Sequence, residues 1–333
     1  TTFGSLIQVP EGLAAKLPAL KQLSEATSQD LFVSEALKRL GPLVQQAELL
    51  AAQYDAVVAN PPYMGSKGMN PAVKKFAKDY FPDAKSDLFA CFIERGYLFG
   101  KDGGRIGAVA PFVWMFIPSY ERFRIKLIGE TSLMNLIQLE YNAFEPACIP
   151  VATFTLMRPH VSSLVGSYVK LSEFKGHQNQ APRALEAIRN RDCGWFYESV
   201  PDEFKKFPGA PVAYWVSDSV RDIFVAAPSL DDIGQARSGI TTGDNDKFLR
   251  EWSEIANSDI RLPSNSGSEI AFQQAKWVPL NGGSKYRKWY GSNRQVIDWL
   301  DDGRELKQSK PATIANLDFQ FQEGITWSKI TSS

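Results

Sequence analysis

Leu31, Leu37, Leu40, Leu43, Leu49 and Leu50 recur at close to helical spacing, and the pattern predicts a helix over Leu17 to Gln53. At Tyr54 the pattern changes. Tyr54-Asp55-Ala56-Val57-Val58-Ala59 is short, apolar and β-branched, as a buried parallel strand is. It stops at Asn60-Pro61-Pro62-Tyr63, where successive prolines cannot continue a strand or a helix. Gly65 to Gly68 reads as loop, and Asp87 to Phe99 as an apolar helix that Gly103-Gly104 stops. Arg105 to Ala110 reads as a second buried strand and Tyr120 to Ile128 as an amphipathic helix. Leu133 to Leu139 and Val151 to Met157 read as two further strands, separated by Asn142-Ala143-Phe144-Glu145-Pro146.

Strand, helix, strand, helix, strand predicts a parallel doubly wound α/β sheet, with the last two strands forming a closing hairpin. Around Pro159 to Gly166 the texture shifts to polar residues, tryptophans and turn signals such as Pro208-Gly209 and Gly282-Gly283. This places a boundary near residue 165, giving an α/β region over 1–165 and a mixed α+β region over 166–333. A length of 333 residues accommodates two domains.

Composition narrows the function. Lys+Arg and Asp+Glu both count 37, so a whole-chain basic footprint for nucleic acid is absent and any DNA contact must come from local patches. Cys91, Cys148 and Cys193 are scattered, and with only His160 and His177 to join them no metal site is expected. Unpaired cysteines fit a reducing cytoplasm. The apolar run Ile106 to Pro118 is too short to span a bilayer, so no membrane partner is expected. The start, Thr1-Thr2-Phe3-Gly4, has neither a signal-peptide pattern nor an initiator Met, and the chain reads as a piece cut from something longer.

The chemistry centres on Asn60-Pro61-Pro62-Tyr63. Ligands of open α/β sheets sit beyond the carboxyl ends of strands, which is where this tetrapeptide falls. An exocyclic amine on adenine is a poor nucleophile, because its lone pair is delocalised into the ring. An Asn side-chain carbonyl and a proline backbone carbonyl can both accept hydrogen bonds from it, favouring pyramidal nitrogen. Tyr63 offers a flat face on which an extruded base can stack. The plainer reading is a rigid turn that ends a strand.

Tyr54 to Tyr63 resembles motif IV of the amino-methyltransferases. Ser86-Asp87-Leu88-Phe89-Ala90-Cys91-Phe92-Ile93-Glu94 resembles motif V, and Gly103 to Pro111 motif VI. Asn142 to Pro146, leading into Val151 to Leu156, resembles motifs VII and VIII, and all fall in family order. The resemblance implies a partial Rossmann-like class I methyltransferase sheet, followed by a linker and the start of a DNA target-recognition region. It implies S-adenosyl-L-methionine as cofactor, Asn60 and Asp87 beside it, and Phe144 packed on the flipped adenine opposite Tyr63. A buried core aromatic (Phe144) and a helix cap (Asp87) are the plain alternatives. Phe3-Gly4-Ser5-Leu6-Ile7, Gly239 to Phe248, Lys276 to Asn281, Tyr286 to Gly291 and Gly324 to Ser328 are similar to the PglX adenine-specific methyltransferases of BREX phage-resistance systems. Type IIG restriction-modification enzymes share several of these stretches.

The chain departs from that family before Tyr54. Residues 1–53 hold only Gly4, Gly12 and Gly41, none in a strand, Gly-rich turn and helix context. The cofactor half-site is therefore expected to be missing, and the isolated chain to be inactive. Lys285-Tyr286-Arg287-Lys288-Trp289-Tyr290 interleaves cations with aromatics, suiting either phosphate contact and stacking or a solvated loop. Thr242 and Asn245, in a Gly-containing turn, suit a phosphate nest or an ordinary capped turn. Double-stranded DNA is the expected partner, with other defence-system proteins beside it. The leading expectation is site-specific adenine N6-methylation for host marking in phage defence. The alternatives are a protein glutamine methyltransferase and a DNA-binding or scaffolding module without catalysis.

Overall fold

The computed structural model describes residues 3–144, 149–261, 276–281, 294–322 and 324–325. Asp30 decides how the amino-terminal helices divide. Its side chain accepts from the backbone N–H of Phe32 at 2.8 Å and of Val33 at 3.3 Å, which starts a new helix. The continuous helix expected over Leu17 to Gln53 is thus two, α2 (Leu17–Ser24) and α3 (Leu31–Ala51), preceded by α1 (Glu11–Ala14).

The chain then alternates β1 (Tyr54–Ala59), α4 (Pro71–Tyr80), α5 (Leu88–Phe99), β2 (Gly100–Pro111), α6 (Glu121–Glu130), β3 (Ser132–Gln138) and β4 (Val151–Met157). It continues with β5 (Gly166–Lys170), α7 (His177–Arg189), β6 (Phe196–Ser199) and α8 (Asp218–Ala226). The strands form one sheet in the order β1-β2-β4-β3-β5-β6. β1 runs parallel to β2, with Ala59 opposite Ala108, and β3 runs parallel to β5. β4 is antiparallel to both β2 and β3 and lies between them. The sheet is therefore mixed rather than all parallel. The connection from β3 to β4 carries no α-helix among the described residues, so the chain turns back instead of crossing over. The closing hairpin is present, and its second strand occupies the sheet centre.

The architecture around this sheet is α/β and Rossmann-like, with helices packed against it over a main core and a smaller cluster of Val169, Leu171 and Ala187. Trp114, Phe123, Phe154, Tyr168 and Phe204 are each almost fully buried there. Arg124 is buried among them at 1% exposure. Its guanidinium donates to the carbonyls of Trp114, Ile117 and Gly209, so the charge is spread over three acceptors.

Two compact units divide the chain at residues 1–227 and 228–333. The boundary expected near residue 165 falls inside the first unit, because Gly166 begins β5 and extends the same sheet. In the second unit α9 (Leu230–Ile233), β7 (Ile240–Thr241), α10 (Asn245–Phe248), β8 (Leu249–Glu251), β9 (Trp277–Leu280), β10 (Gln295–Asp298), α11 (Leu300–Gln308) and β11 (Thr313–Ile314) follow in order. β10 pairs antiparallel with β8 and β9, and β11 with β7, around a small core of Phe248, Val278, Ile297, Trp299 and Leu306.

Candidate functional site

β1, β2 and β3 point the same way, so Asn60, the end of β2 and the loop after β3 all lie at one end of the sheet. Pro61 is buried, whereas Asn60 and Pro62 are exposed and Tyr63 is 36% exposed. The Tyr63 hydroxyl reaches Asn60 Oδ1 and the Val109 carbonyl, each at 3.3 Å. Its single proton serves one acceptor at a time. Burial pushes the Tyr63 phenol up from its ordinary value, so it stays a neutral donor. The Tyr63 ring meets Phe89 edge to face at 6.4 Å between centroids.

Asp87 is the N-cap of α5, accepting from Phe89 N–H at 3.3 Å. The same Oδ1 accepts from Met64 N–H at 2.9 Å. Burial raises the carboxyl's pKa, while the backbone amides of Met64, Phe89 and Leu88 pull it back. Behind it lies Cys91, fully buried, its thiol pushed up to about 12 by burial and then by Glu94 and Asp87. A thiol held protonated is no nucleophile at neutral pH. At the far end of β1, Lys101 holds the exposed Asp55 carboxyl below the usual range through a hydrogen bond at 3.0 Å.

Phe144 is 52% exposed and stands in the loop after β3, at the same end of the sheet as Tyr63. No ring contact joins the two among the described residues. It is therefore not the buried core aromatic of the plainer reading. Thr242 is 4% exposed and its hydroxyl bonds Asn245 Oδ1. That side chain is turned inward, and Asp244 rather than a ligand caps α10. Gly243 has φ +67° and lies so close to Pro311 that an added Cβ would fall 2.4 Å from its carbonyl oxygen. Only glycine suits that turn. Lys285, Arg287 and Lys288 lie outside the described residues.

The amino-terminal Phe3 to Ile7 stretch packs against α4 and α5. Leu6 is buried and Phe3 stacks on Phe76 at 4.4 Å. Arg95 donates to the carbonyls of Ser5, Ile7 and Leu50, while its guanidinium lies 3.7 Å from the centre of the Phe99 ring. Its role is structural. Sequence reasoning missed three contributors to the candidate site: the Val109 carbonyl, the Met64 amide and the Phe89 ring. The backbone groups leave no mark in residue identity. Phe89 does fall within a stretch the motif comparison singled out, so a signal for it was available.

Among the described residues no group of three potential metal ligands gathers, and no helix is long and apolar enough to cross a membrane. A cleft of about 470 Å³ exists elsewhere in the first unit, beside Ser199, Lys206 and Arg221. Paired charges line it, Lys206 with Glu203 and Asp222, and Arg221 with Asp218. It includes none of the residues around Asn60.

The family described as Eco57I restriction-modification methylase matches residues 17–144, which include β1, α5, β2 and β3. The adenine-specific methyltransferase BrxX of Escherichia coli O9:H4 (strain HS) is 36% identical over 338 residues, covering 100% of this chain and 27% of that protein. The adenine-specific methyltransferase PglX of Lacticaseibacillus casei (strain Zhang) is 32% identical over 301 residues, covering 87% of this chain and 25% of that protein. The crystal structure of the type IIG restriction endonuclease BpuSI aligns at a TM-score of 0.39 and 17% identity, over 66% of this chain and 27% of that one. The chain spans about a quarter of the length of the curated relatives it matches. Through both compact units the chain is similar to adenine-specific methyltransferases, BrxX and PglX among them.

Proposed function

We propose that this chain forms the methyl-acceptor side of an S-adenosylmethionine-dependent DNA adenine N6-methyltransferase that marks host DNA in phage defence. The carrying observation is Asn60-Pro61-Pro62-Tyr63 at the carboxyl end of β1, with the Asn60 side chain exposed there. The relatives named adenine-specific methyltransferases supply the base class, and double-stranded DNA is the substrate that goes with it. That base class also sets this reading above glutamine methylation or a purely scaffolding role.

S-adenosylmethionine, when bound, supplies an electrophilic methyl group. The residues of this chain suit the acceptor side of that chemistry. Residues 3–53 fold as helices and turns, with no strand, glycine turn and helix cradle for the ribose or methionine among the described residues. The residues of this chain therefore act on the amine. Asn60 Oδ1 and a proline carbonyl accept from the two amine hydrogens and hold the nitrogen pyramidal. The lone pair then projects away from the ring, and the proton leaves after transfer, so no strong base is needed. The Tyr63 ring stacks on the extruded adenine, and Phe144, at the same end of the sheet, closes its other face. Tyr63 Oη bonds Asn60 Oδ1 before the base enters. A carbonyl oxygen has two lone pairs, so this bond leaves one for the amine.

The test is Asn60→Ala in the intact protein. Methylation-sensitive sequencing of host DNA is expected to show loss of adenine marking, with the circular dichroism spectrum unchanged. Near-normal marking would overturn the assignment.

A further inference from the structure

We propose that Asp87 is a positioning residue that clamps the acceptor loop through the Met64 amide, rather than a charge directed at the cofactor. The inference rests on the acceptor-site reading above and names what holds that site in place.

Pro61 and Pro62 have no N–H, so after Asn60 the backbone has no donor until Tyr63 and Met64. Through Pro62 the loop has no backbone N–H of its own with which to hold itself. Asp87, 23 positions downstream, supplies the acceptor for Met64 N–H at 2.9 Å. Further bonds zip the same two segments together. Leu88 N–H donates to the Met64 carbonyl at 3.1 Å, and Ser66 N–H to the Ser86 carbonyl at 3.0 Å. Gly65 and Asp87 form an antiparallel bridge.

The other side of the clamp is rigid. α5 buries Leu88, Phe89, Ala90, Cys91 and Ile93 in the main core, and the same Asp87 oxygen caps it. One oxygen therefore ties the residue after Tyr63 to the most buried helix of the unit. Phe89, two residues further on, carries the ring that meets Tyr63. The carboxylate is half-buried, and its bonded oxygen already serves two amides. A neutral acceptor of the same shape keeps both bonds, each weaker than to the carboxylate.

Three variants of the intact protein separate the two roles. Asp87→Asn keeps an acceptor oxygen for both amides and removes the charge. Asp87→Ser can still cap α5 but is too short to serve Met64 as well. Asp87→Ala removes both bonds. Displacement of a reacting group by about 1 Å costs on the order of 100-fold. The expected result is a kcat lowered by about 10- to 100-fold in Asp87→Ala and Asp87→Ser, with the KM for S-adenosylmethionine unchanged. Asp87→Asn, which keeps the acceptor oxygen, is expected to recover most of the kcat that Asp87→Ala loses. Hydrogen exchange at the Met64 amide supplies a readout independent of methylation, faster in the Ala and Ser variants and normal in Asn. The proposal is overturned if Asp87→Asn raises the cofactor KM as much as Asp87→Ala does. It is equally overturned if Met64 exchange is unaffected by Asp87→Ser. Loss of the acceptor-site reading would appear instead as full activity in Asn60→Ala, with the exchange pattern at Met64 intact.

Discussion

β1 and β4 are spelled in nearly the same way and live in different surroundings. Tyr54-Asp55-Ala56-Val57-Val58-Ala59 and Val151-Ala152-Thr153-Phe154-Thr155-Leu156-Met157 are both short, apolar and rich in β-branched residues. β4 is bonded on both edges, and Phe154 and Leu156 are 1% and 0% exposed. Among the described residues β1 is bonded to β2 alone, and Val58 is 86% exposed. α5 packs on the Val57 face of β1, where an added Cβ at Gly96 would come within 3.8 Å of the Val57 side chain. The Val58 face has no such cover among the described residues. The strand expected to be buried is therefore half open, and it is the one that leads into the candidate site. Hydropathy registers that a strand prefers a dry face. It does not register how many faces the fold supplies.

The largest effect that tests this contrast is on stability. Phe154→Ala removes a fully buried ring packed 5.2 Å from Trp114, and is expected to destabilise the first unit by about 3–5 kcal/mol. Val58→Ala is expected to change stability by no more than about 0.5 kcal/mol. Denaturant titrations of both variants check the pair. A comparable loss in Val58→Ala would mean that the outer face of β1 is covered in solution.

The same contrast explains what was legible in the sequence. The strand before Asn60, the helix after Asp87, the end of β2 and the β3–β4 hairpin follow from local periodicity and turn chemistry. Local signals also existed for the break at Asp30, where Thr27-Ser28-Gln29-Asp30 is a polar, cap-rich gap, but the leucine repeat on its far side obscured it. Insertion of β4 between β2 and β3 is a long-range pairing, and no local pattern encodes it. The first unit runs on to residue 227 because Gly166-Ser167-Tyr168-Val169-Lys170 is a short strand whose partner, β3, lies about 30 residues upstream. Its polar flanks resemble a linker. Around Asn60 the side chains were legible and the backbone acceptors and donors that hold them were not. The Met64 amide and the Val109 carbonyl matter through position alone.

A second test probes the half-open end of β1 through Tyr63. Removing the ring in Tyr63→Ala is expected to cost about 1–3 kcal/mol of base stacking, read as a fall in kcat/KM of roughly 5- to 150-fold. Tyr63→Phe keeps the ring on Phe89 and loses only the hydroxyl's bonds to Asn60 and Val109, each at 3.3 Å. A neutral hydrogen bond contributes about 0.5–1.5 kcal/mol, so the Phe variant is expected to lie nearer the wild type. Equal damage in both would shift the weight from the ring to the hydroxyl, making orientation of Asn60 its main task.

The smallest expected change in stability carries the sharpest test of the open edge. A strand hydrogen-bonded on one side presents unpaired N–H and C=O groups on the other, and an apolar side chain beside them makes the edge adhesive to another chain. β1 combines both features, since among the described residues it pairs only with β2 and shows Val58 to solvent. α3 adds exposed Leu31 at 82% and Phe32 at 87%. The 333-residue chain is therefore expected to self-associate. Lysine at an edge opposes such pairing, because a second strand would have to desolvate its charge. Val58→Lys leaves the buried face of β1 intact, so its stability is expected to stay within about 0.5 kcal/mol of the parent. Its association, followed by light scattering over a concentration series, is expected to fall. Unchanged association in Val58→Lys would move the adhesive surface away from β1, with the exposed start of α3 as the next segment to substitute.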